Sequence, residues 1–187
     1  MGKSERAIFI GGSAGSLEVL KGIVRALPVD FRIPIIIVIH RMRNVKSHLD
    51  RFFQTYSLLP VLEVTDKMAI EEGTIYIAPS NYHLLIEESR TFALDYSELE
   101  NHSRPAINPT FETGAQVYGR HAVGVLLSGA NHDGAKGLLQ IKEHGGLVIV
   151  QAPEYAEYKH MPEAALKLLQ PDLLLEPLAI GEKLRAL

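Results

Sequence analysis

The feature that most constrains this chain lies at its amino end. Ala7–Ile10 is a short apolar run that enters Gly11-Gly12-Ser13-Ala14-Gly15. From Leu17, the apolar residues Val19, Leu20, Ile23, Val24 and Leu27 recur at mostly helical spacing until Pro28. A strand that feeds a tight glycine turn and then a helix is the opening of a crossover unit, and it calls for a second, parallel strand. Ile35–Ile39 suits that role: it is nearly all β-branched and apolar, as befits a central strand covered on both faces, and it ends at His40. A further helix is expected over Ser47–Tyr56.

The middle of the chain reads differently. Val61–Val64, Thr74–Ala78, Leu84–Glu87 and Thr91–Leu94 are short strand-like pieces, separated by Glu72-Gly73, Pro79-Ser80-Asn81 and Glu88-Ser89-Arg90, and hairpins suit them better than long crossovers. After Asn108-Pro109, where Asn can cap and Pro can enter the first turn, helical spacing runs through Phe111, Ala115 and Val117 to Gly119. The opening pattern then returns: a buried-type strand over Ala122–Leu127, a turn over Ser128–Gly134, and a helix over Ala135–His144 closed by Gly145-Gly146. A strand follows over Leu147–Val150, then a helix opened by Pro162 and ended before Pro171, and a last strand over Leu173–Leu175. The expected fold is α/β: a doubly wound, mainly parallel sheet with helices on both faces and an antiparallel hairpin excursion in the middle third. With 187 residues, 47% of them hydrophobic, residues 1–187 are expected to form a single domain.

Composition removes several functions. The absence of cysteine excludes Fe–S clusters, thiolate zinc sites and cysteine nucleophiles. A net charge of -3 gives no general reason to expect nucleic acid or an anionic membrane; the local exception is His40–Arg51, where Arg41, Arg43, Lys46 and Arg51 face only Asp50. The longest apolar run, Ile33–Ile39, is interrupted by Pro34 and is too short to span a bilayer. Gly2-Lys3-Ser4-Glu5-Arg6 has Arg6 where a myristoylation signal wants Ser or Thr. No apolar leader follows Met1, so the cytoplasm is the expected location. His83, His102, His121 and His144 lack metal-ligand spacing and are expected to be solvated or individually hydrogen-bonded.

Ligands of such sheets gather beyond the carboxyl ends of the strands. Ser13, His40 and Asp133 fall there. Ser13 satisfies Gly-x-Ser-x-Gly, with a strand before it and a helix after it, as a nucleophile turn requires. The plainer alternative makes Ser13 a helix cap and the glycines packing devices. A dinucleotide loop fits less well, because Ser13 and Ser16 stand at the second and third glycine positions, and no Gly-Lys-Ser/Thr follows for a phosphate loop. A neutral imidazole at His40 could accept a serine proton near neutral pH and return it to a leaving alcohol. Asp133 either caps the helix that begins near Gly134 or orients the histidine. The order Ser, His, Asp differs from the Ser, Asp/Glu, His order of α/β-hydrolases.

Gly11-Gly12-Ser13-Ala14-Gly15-Ser16, Ile39-His40-Arg41-Met42, Gly73–Pro79, Ser103-Arg104-Pro105, Gly124–Gly129, Asp133-Gly134-Ala135 and Met161-Pro162 together resemble the catalytic domain of the chemotaxis protein-glutamate methylesterases, or CheB. The resemblance spans nearly the whole chain. It implies a cytoplasmic hydrolase that removes methyl esters from glutamates on the cytoplasmic helices of chemoreceptors, and in many members also deamidates receptor glutamines. It implies a serine nucleophile at Ser13, a base at His40 and an orienting acid at Asp133, with no cofactor and no metal. Ala14 and Ala130 fall where the family stabilises the oxyanion. Arg104 matches the family's Arg-Pro motif, either to steer an acidic receptor surface or to tie the middle loop to the sheet. Met161 matches the methionine that lines the cleft or packs beneath it.

The departures from the family pattern also carry expectations. Ile39-His40-Arg41 stands for the usual Gln-His-Met, bringing a cation beside the base, either to strengthen the field on an oxyanion or to fill the ester pocket. Ser128-Gly129-Ala130-Asn131 stands for Thr-Gly-Met-Gly, leaving a glycine conformation to Asn131. Lys159-His160 adds bulk and positive charge beside the cleft. No receiver domain precedes the motifs, so the resemblance implies methylated receptor helices as partners and leaves three options for control: no gating, gating in trans by a separate receiver-domain protein, or a different use. Two alternatives remain open at this point: a receptor-binding or signalling adaptor with little turnover, and an esterase or amidase acting on another substrate.

Overall fold

The structure is a computed structural model that describes residues 4–41 and 47–187. Gly2 and Lys3 of the lipidation reading, Met42 of the family motif, and Arg43 and Lys46 of the basic cluster lie outside the described residues. The chain runs β1 (Ala7–Gly12), α1 (Leu17–Ala26), β2 (Ile35–Ile39), α2 (Leu49–Gln54), β3 (Val61–Glu63), β4 (Ile75–Ile77), β5 (His83–Ile86) and β6 (Phe92–Asp95). It continues through α3 (Ile107–Tyr118), β7 (Ala122–Leu126), α4 (Ala135–Glu143), β8 (Leu147–Gln151), α5 (His160–Leu168), β9 (Leu173–Leu175) and α6 (Pro177–Arg185).

Seven strands form one sheet in the order β3-β4-β2-β1-β7-β8-β9, and every pairing in it is parallel. β1 and β2 are buried along their whole length, which is why their residues are apolar without alternation. One face packs Ile8, Ile10, Ile35 and Ile37 against Leu20 and Ile23 of α1, Phe53 of α2, and Ile180 and Leu184 of α6. The other packs Phe9, Ile36 and Val38 against Phe111 of α3, Leu138 of α4, Ala165 of α5, and the β5–β6 pair. The expected doubly wound sheet is the fold observed.

Three local expectations differ. β3 and β4 are parallel members of the main sheet, and only β5 and β6 form an antiparallel pair. The segment 64–74 between β3 and β4 is long enough to return the chain to the same end of the sheet, and the sequence pattern of short strands did not distinguish that route from a hairpin. α3 begins at Ile107 with Ala106 at its cap position; Asn108 is inside the helix, its Oδ1 accepting from the Gly137 amide at 2.9 Å. α6 adds a helix beyond the last expected strand.

The chain leaves β1 toward β2 on one side and later returns to β7 on the other, so the strand order reverses between β1 and β7. The carboxyl ends of strands at such a reversal open a crevice, because the flanking connections diverge to opposite faces.

Candidate active site

Register brings Ser13 and His40 together before any side chain is considered. Gly12 pairs with Ile39 across β1 and β2, and the His40 amide donates to the Gly12 carbonyl at 3.3 Å. Adjacent strands run about 4.8 Å apart, so the next residue on each is a near neighbour of the other. On the far side of β1, Gly11 pairs with Leu126 of β7, and the Ser13 amide donates to the Ser128 carbonyl at 2.9 Å. The Ser13 turn is thus fastened to both neighbouring strands.

Glycine is required at two positions of that turn. Gly15 has φ +76°, and a Cβ on Gly12 would lie 2.7 Å from the Ser16 Cβ. Ser16 is fully buried and caps in reverse: its hydroxyl donates to the Ser13 carbonyl at 2.6 Å and tightens the turn. The Ser13 hydroxyl has no hydrogen-bond partner among the described residues, and neither the Ala14 nor the Ala130 amide donates a hydrogen bond among them. Ala14 and Ala130 are exposed residues, one directly after Ser13 and the other beyond the end of β7.

His40 and Asp133 are in direct contact, with Nε2 and Oδ2 2.7 Å apart. An ionised carboxylate can only accept, so Nε2 carries the proton and Nδ1 keeps its lone pair. Asn131 supports the same tautomer. Its Oδ1 accepts from the Asp133 amide at 3.1 Å, which turns its Nδ2 toward His40 Nδ1 at 3.5 Å. Asn131 does not take the left-handed conformation expected of it; that conformation occurs at Asn101 and His102, with φ 49° and 64°. An amide able to form a turn with the Asp133 backbone removes the need for a glycine here.

Asp133 is wholly buried, and its two oxygens are heavily used. Oδ2 also accepts from the Ile107 amide at 2.7 Å. Oδ1 accepts from the Gly134 amide at 2.9 Å, Asn101 Nδ2 at 3.2 Å and the Asn108 amide at 3.3 Å. Asp133 therefore satisfies the first amides of α3, a helix remote in sequence, and not those of α4, whose cap position is Gly134 at φ +85°. The expected cap of α4 is thus not made by Asp133; the same carboxylate instead receives the first amides of α3 and the His40 ring. Burial alone would raise the carboxyl, but the hydrogen bonds from His40 and the α3 amides hold it below the usual carboxylate range.

The remaining sequence candidates fall at different distances from this centre. Met161 is fully buried over Gly129, where a Cβ would meet its Cε at 2.4 Å, and its amide donates to the Gly129 carbonyl at 3.0 Å. It supports the backbone beneath Ala130. The Arg104 guanidinium lies 3.8 Å over the Tyr96 ring and donates to the carbonyls of Tyr96 and Ser97. It ties the segment after β6 to itself and has no carboxylate partner among the described residues.

Arg41 does not fill the ester pocket: its guanidinium donates to Ser47, to Glu63 Oε2 at 2.5 Å and to the Ala78 carbonyl at 2.9 Å, on the β4 side of β2. His83 is individually hydrogen-bonded, its Nδ1 accepting from the Ala106 amide at 3.2 Å and its Nε2 donating to the Glu98 carbonyl at 2.9 Å. The described residues contain no cluster of three His, Cys, Asp or Glu able to hold a metal.

Sequence reasoning passed over Asn101, Ser128 and Gln151. The Ser128 hydroxyl donates to the Ala14 carbonyl at 2.8 Å and accepts from the Tyr158 amide at 3.0 Å, while the Ser128 amide donates to Gln151 Oε1 at 2.9 Å. These residues hold the two halves of the crevice in register. The signal for Ser128 was its polarity at the end of a wholly apolar strand; Asn101 offered none, since its role depends on a contact across the fold.

Comparison with known proteins agrees with this architecture. A family model described as CheB methylesterase matches residues 8–184. The chain is 43% identical over 176 residues to a Leptospira interrogans protein named for protein-glutamate methylesterase and protein-glutamine glutaminase activity, covering 94% of this chain and 91% of that one. A Thermotoga maritima protein-glutamate methylesterase/protein-glutamine glutaminase is 32% identical over 97% of this chain, which spans 54% of its length. The crystal structure of the Thermotoga maritima CheB methylesterase catalytic domain superposes with a TM-score of 0.93 at 32% identity, covering 98% of this chain and 99% of that one. No helix among the described residues is long and apolar enough to cross a membrane.

Proposed function

The chain belongs to the CheB methylesterase family, and on that footing we propose that it hydrolyses the γ-methyl esters of protein glutamates, and by the same route deamidates glutamines, with Ser13, His40 and Asp133 as its catalytic group. The observation that carries this reading is the 2.7 Å contact of His40 Nε2 with Asp133, on a histidine whose backbone amide donates to Gly12, the residue before Ser13.

In the reaction, His40 Nδ1 takes the proton from Ser13 Oγ as the oxygen forms a bond to the ester carbonyl carbon. The carbonyl electrons move onto oxygen, where the Ala14 and Ala130 amides are available to receive the developing charge. When the tetrahedral species collapses, the carbon–oxygen bond to methanol breaks and His40 returns the proton to it. A water molecule then gives its proton to Nδ1, attacks the acyl carbon and frees Ser13 and the glutamate. A glutamine follows the same course with ammonia leaving. Asp133 stays ionised throughout and stabilises the imidazolium. The reaction requires Ser13 Oγ and His40 Nδ1 to come within hydrogen-bond reach, a contact that tightens in the complex with substrate.

Chemoreceptors are the proposed substrate proteins, and a separate receiver-domain protein the proposed regulator, both from the family resemblance. The test is methanol release from a peptide carrying a glutamyl γ-methyl ester. Ser13→Ala should lower the rate by about 10³-fold or more; equal rates in the two proteins would remove the serine mechanism.

A further inference from the structure

The crevice at Ser13 does not end at the base. Ala130 and Asn131 also line a cavity of about 580 Å³ that lies between the start of α4 and one face of α5. It is far larger than an ester methyl group needs. Its floor is apolar, built from Ala135 of α4 and Ala164 and Leu168 of α5. His160, Ala164, Lys167 and Leu168 recur along α5 at helical spacing and form the face turned away from the buried Met161 and Ala165.

The rim of this cavity has one sign of charge. Lys136 and Lys167 border it, with His132 and His160 beside them, and among the described residues no Asp or Glu lines it. Lys136 and Lys167 are exposed, and neither has an ion-pair partner among the described residues. Glu112, which interacts electrostatically with Lys136, borders an adjoining cavity that shares Lys136 and Leu168. α4 and α5 both begin at this cavity, at Ala135 and His160, so the positive ends of two helices add to the lysines. An apolar floor under a cationic rim selects small or apolar side chains accompanied by carboxylates, and low-salt attraction steers such a segment toward it.

Building on the hydrolase reading, we propose that this groove docks the acidic polypeptide segment flanking the modified glutamate, with Lys136 and Lys167 reading its carboxylates and Asn131 joining the groove to His40. Selection among glutamyl esters then comes from the flanking sequence as much as from the ester pocket.

Two peptides of equal length carrying one glutamyl γ-methyl ester test it, one flanked by glutamates and one by glutamines, with N-acetylglutamate γ-methyl ester as the small substrate. Fluorescence anisotropy of both labelled peptides on Ser13→Ala protein measures docking independently of turnover. The acidic peptide should bind about tenfold more tightly at low salt, and high salt should erase the difference. In the Lys136→Glu/Lys167→Glu protein the preference should vanish or invert, and in Lys136→Gln/Lys167→Gln it should shrink. In kinetics with otherwise unmodified protein, the same changes should raise KM for the acidic peptide about tenfold relative to KM for the small ester. Equal binding of the two peptides, or a preference untouched by charge reversal, overturns the docking groove. Loss of small-ester turnover in the unmodified protein would count against the hydrolase reading alone, because the anisotropy comparison still decides the docking.

Discussion

Asp133 shows how much one buried carboxylate can organise. It orients His40, closes the amino end of α3 and anchors Asn101, all with two oxygens. Those contacts hold its carboxyl below the ordinary value near 3.9, despite burial that pushes the other way. The stabilisation it gives is therefore fully present above the unfolded value and is lost as pH falls through the depressed folded value. Acid titration of folding should show Asp133→Asn losing less stability than the native protein across that interval, with lower stability at neutral pH. Parallel pH curves for the two proteins would contradict the account. Gly12 gives a second residue-scale expectation. A methyl group there meets Ser16, so Gly12→Ala should cost about 1–3 kcal/mol and lower activity. Adding Ser16→Gly should recover part of both, as judged by denaturant midpoints and ester turnover.

At the scale of elements, legibility followed locality. β2 and β9 have the boundaries their sequences suggest, and α1 ends just before the expected stop at Pro28, because apolar runs and prolines act where they stand. The parallel pairing of β3 with β4 was not legible, since three-residue strands carry little directional information and the direction comes from the sheet they join. The cap of α3 was invisible for the same reason: its acceptor is Asp133, which arrives from another connection. α6 was missed because its apolar positions are sparse, yet Ile180 and Leu184 are fully buried against the face that carries α1. Each changed to Ala should cost about 2–5 kcal/mol in chemical denaturation, whereas changing the exposed Leu178 should cost little. Equal, small losses at all three positions would place α6 outside the core.

For the molecule as a whole, the reversal of strand order between β1 and β7 gathers distant segments into one crevice. Ser13, His40 and Asp133 were recognisable from where their strands end, and from the motifs around them. Asn101, Asn131 and the Ser128 bridge emerge only when the strands are assembled. The central claim is that the gathered residues carry out covalent hydrolysis, and mass spectrometry of the intact protein mixed rapidly with a glutamyl γ-methyl ester peptide tests it most directly. The account predicts a transient adduct, equal in mass to the peptide acyl group, that maps to Ser13, builds up further in Asp133→Asn as deacylation slows, and is absent in Ser13→Ala. Turnover in the unmodified protein with no adduct at Ser13 under any quench, or the same adduct in Ser13→Ala, would contradict it.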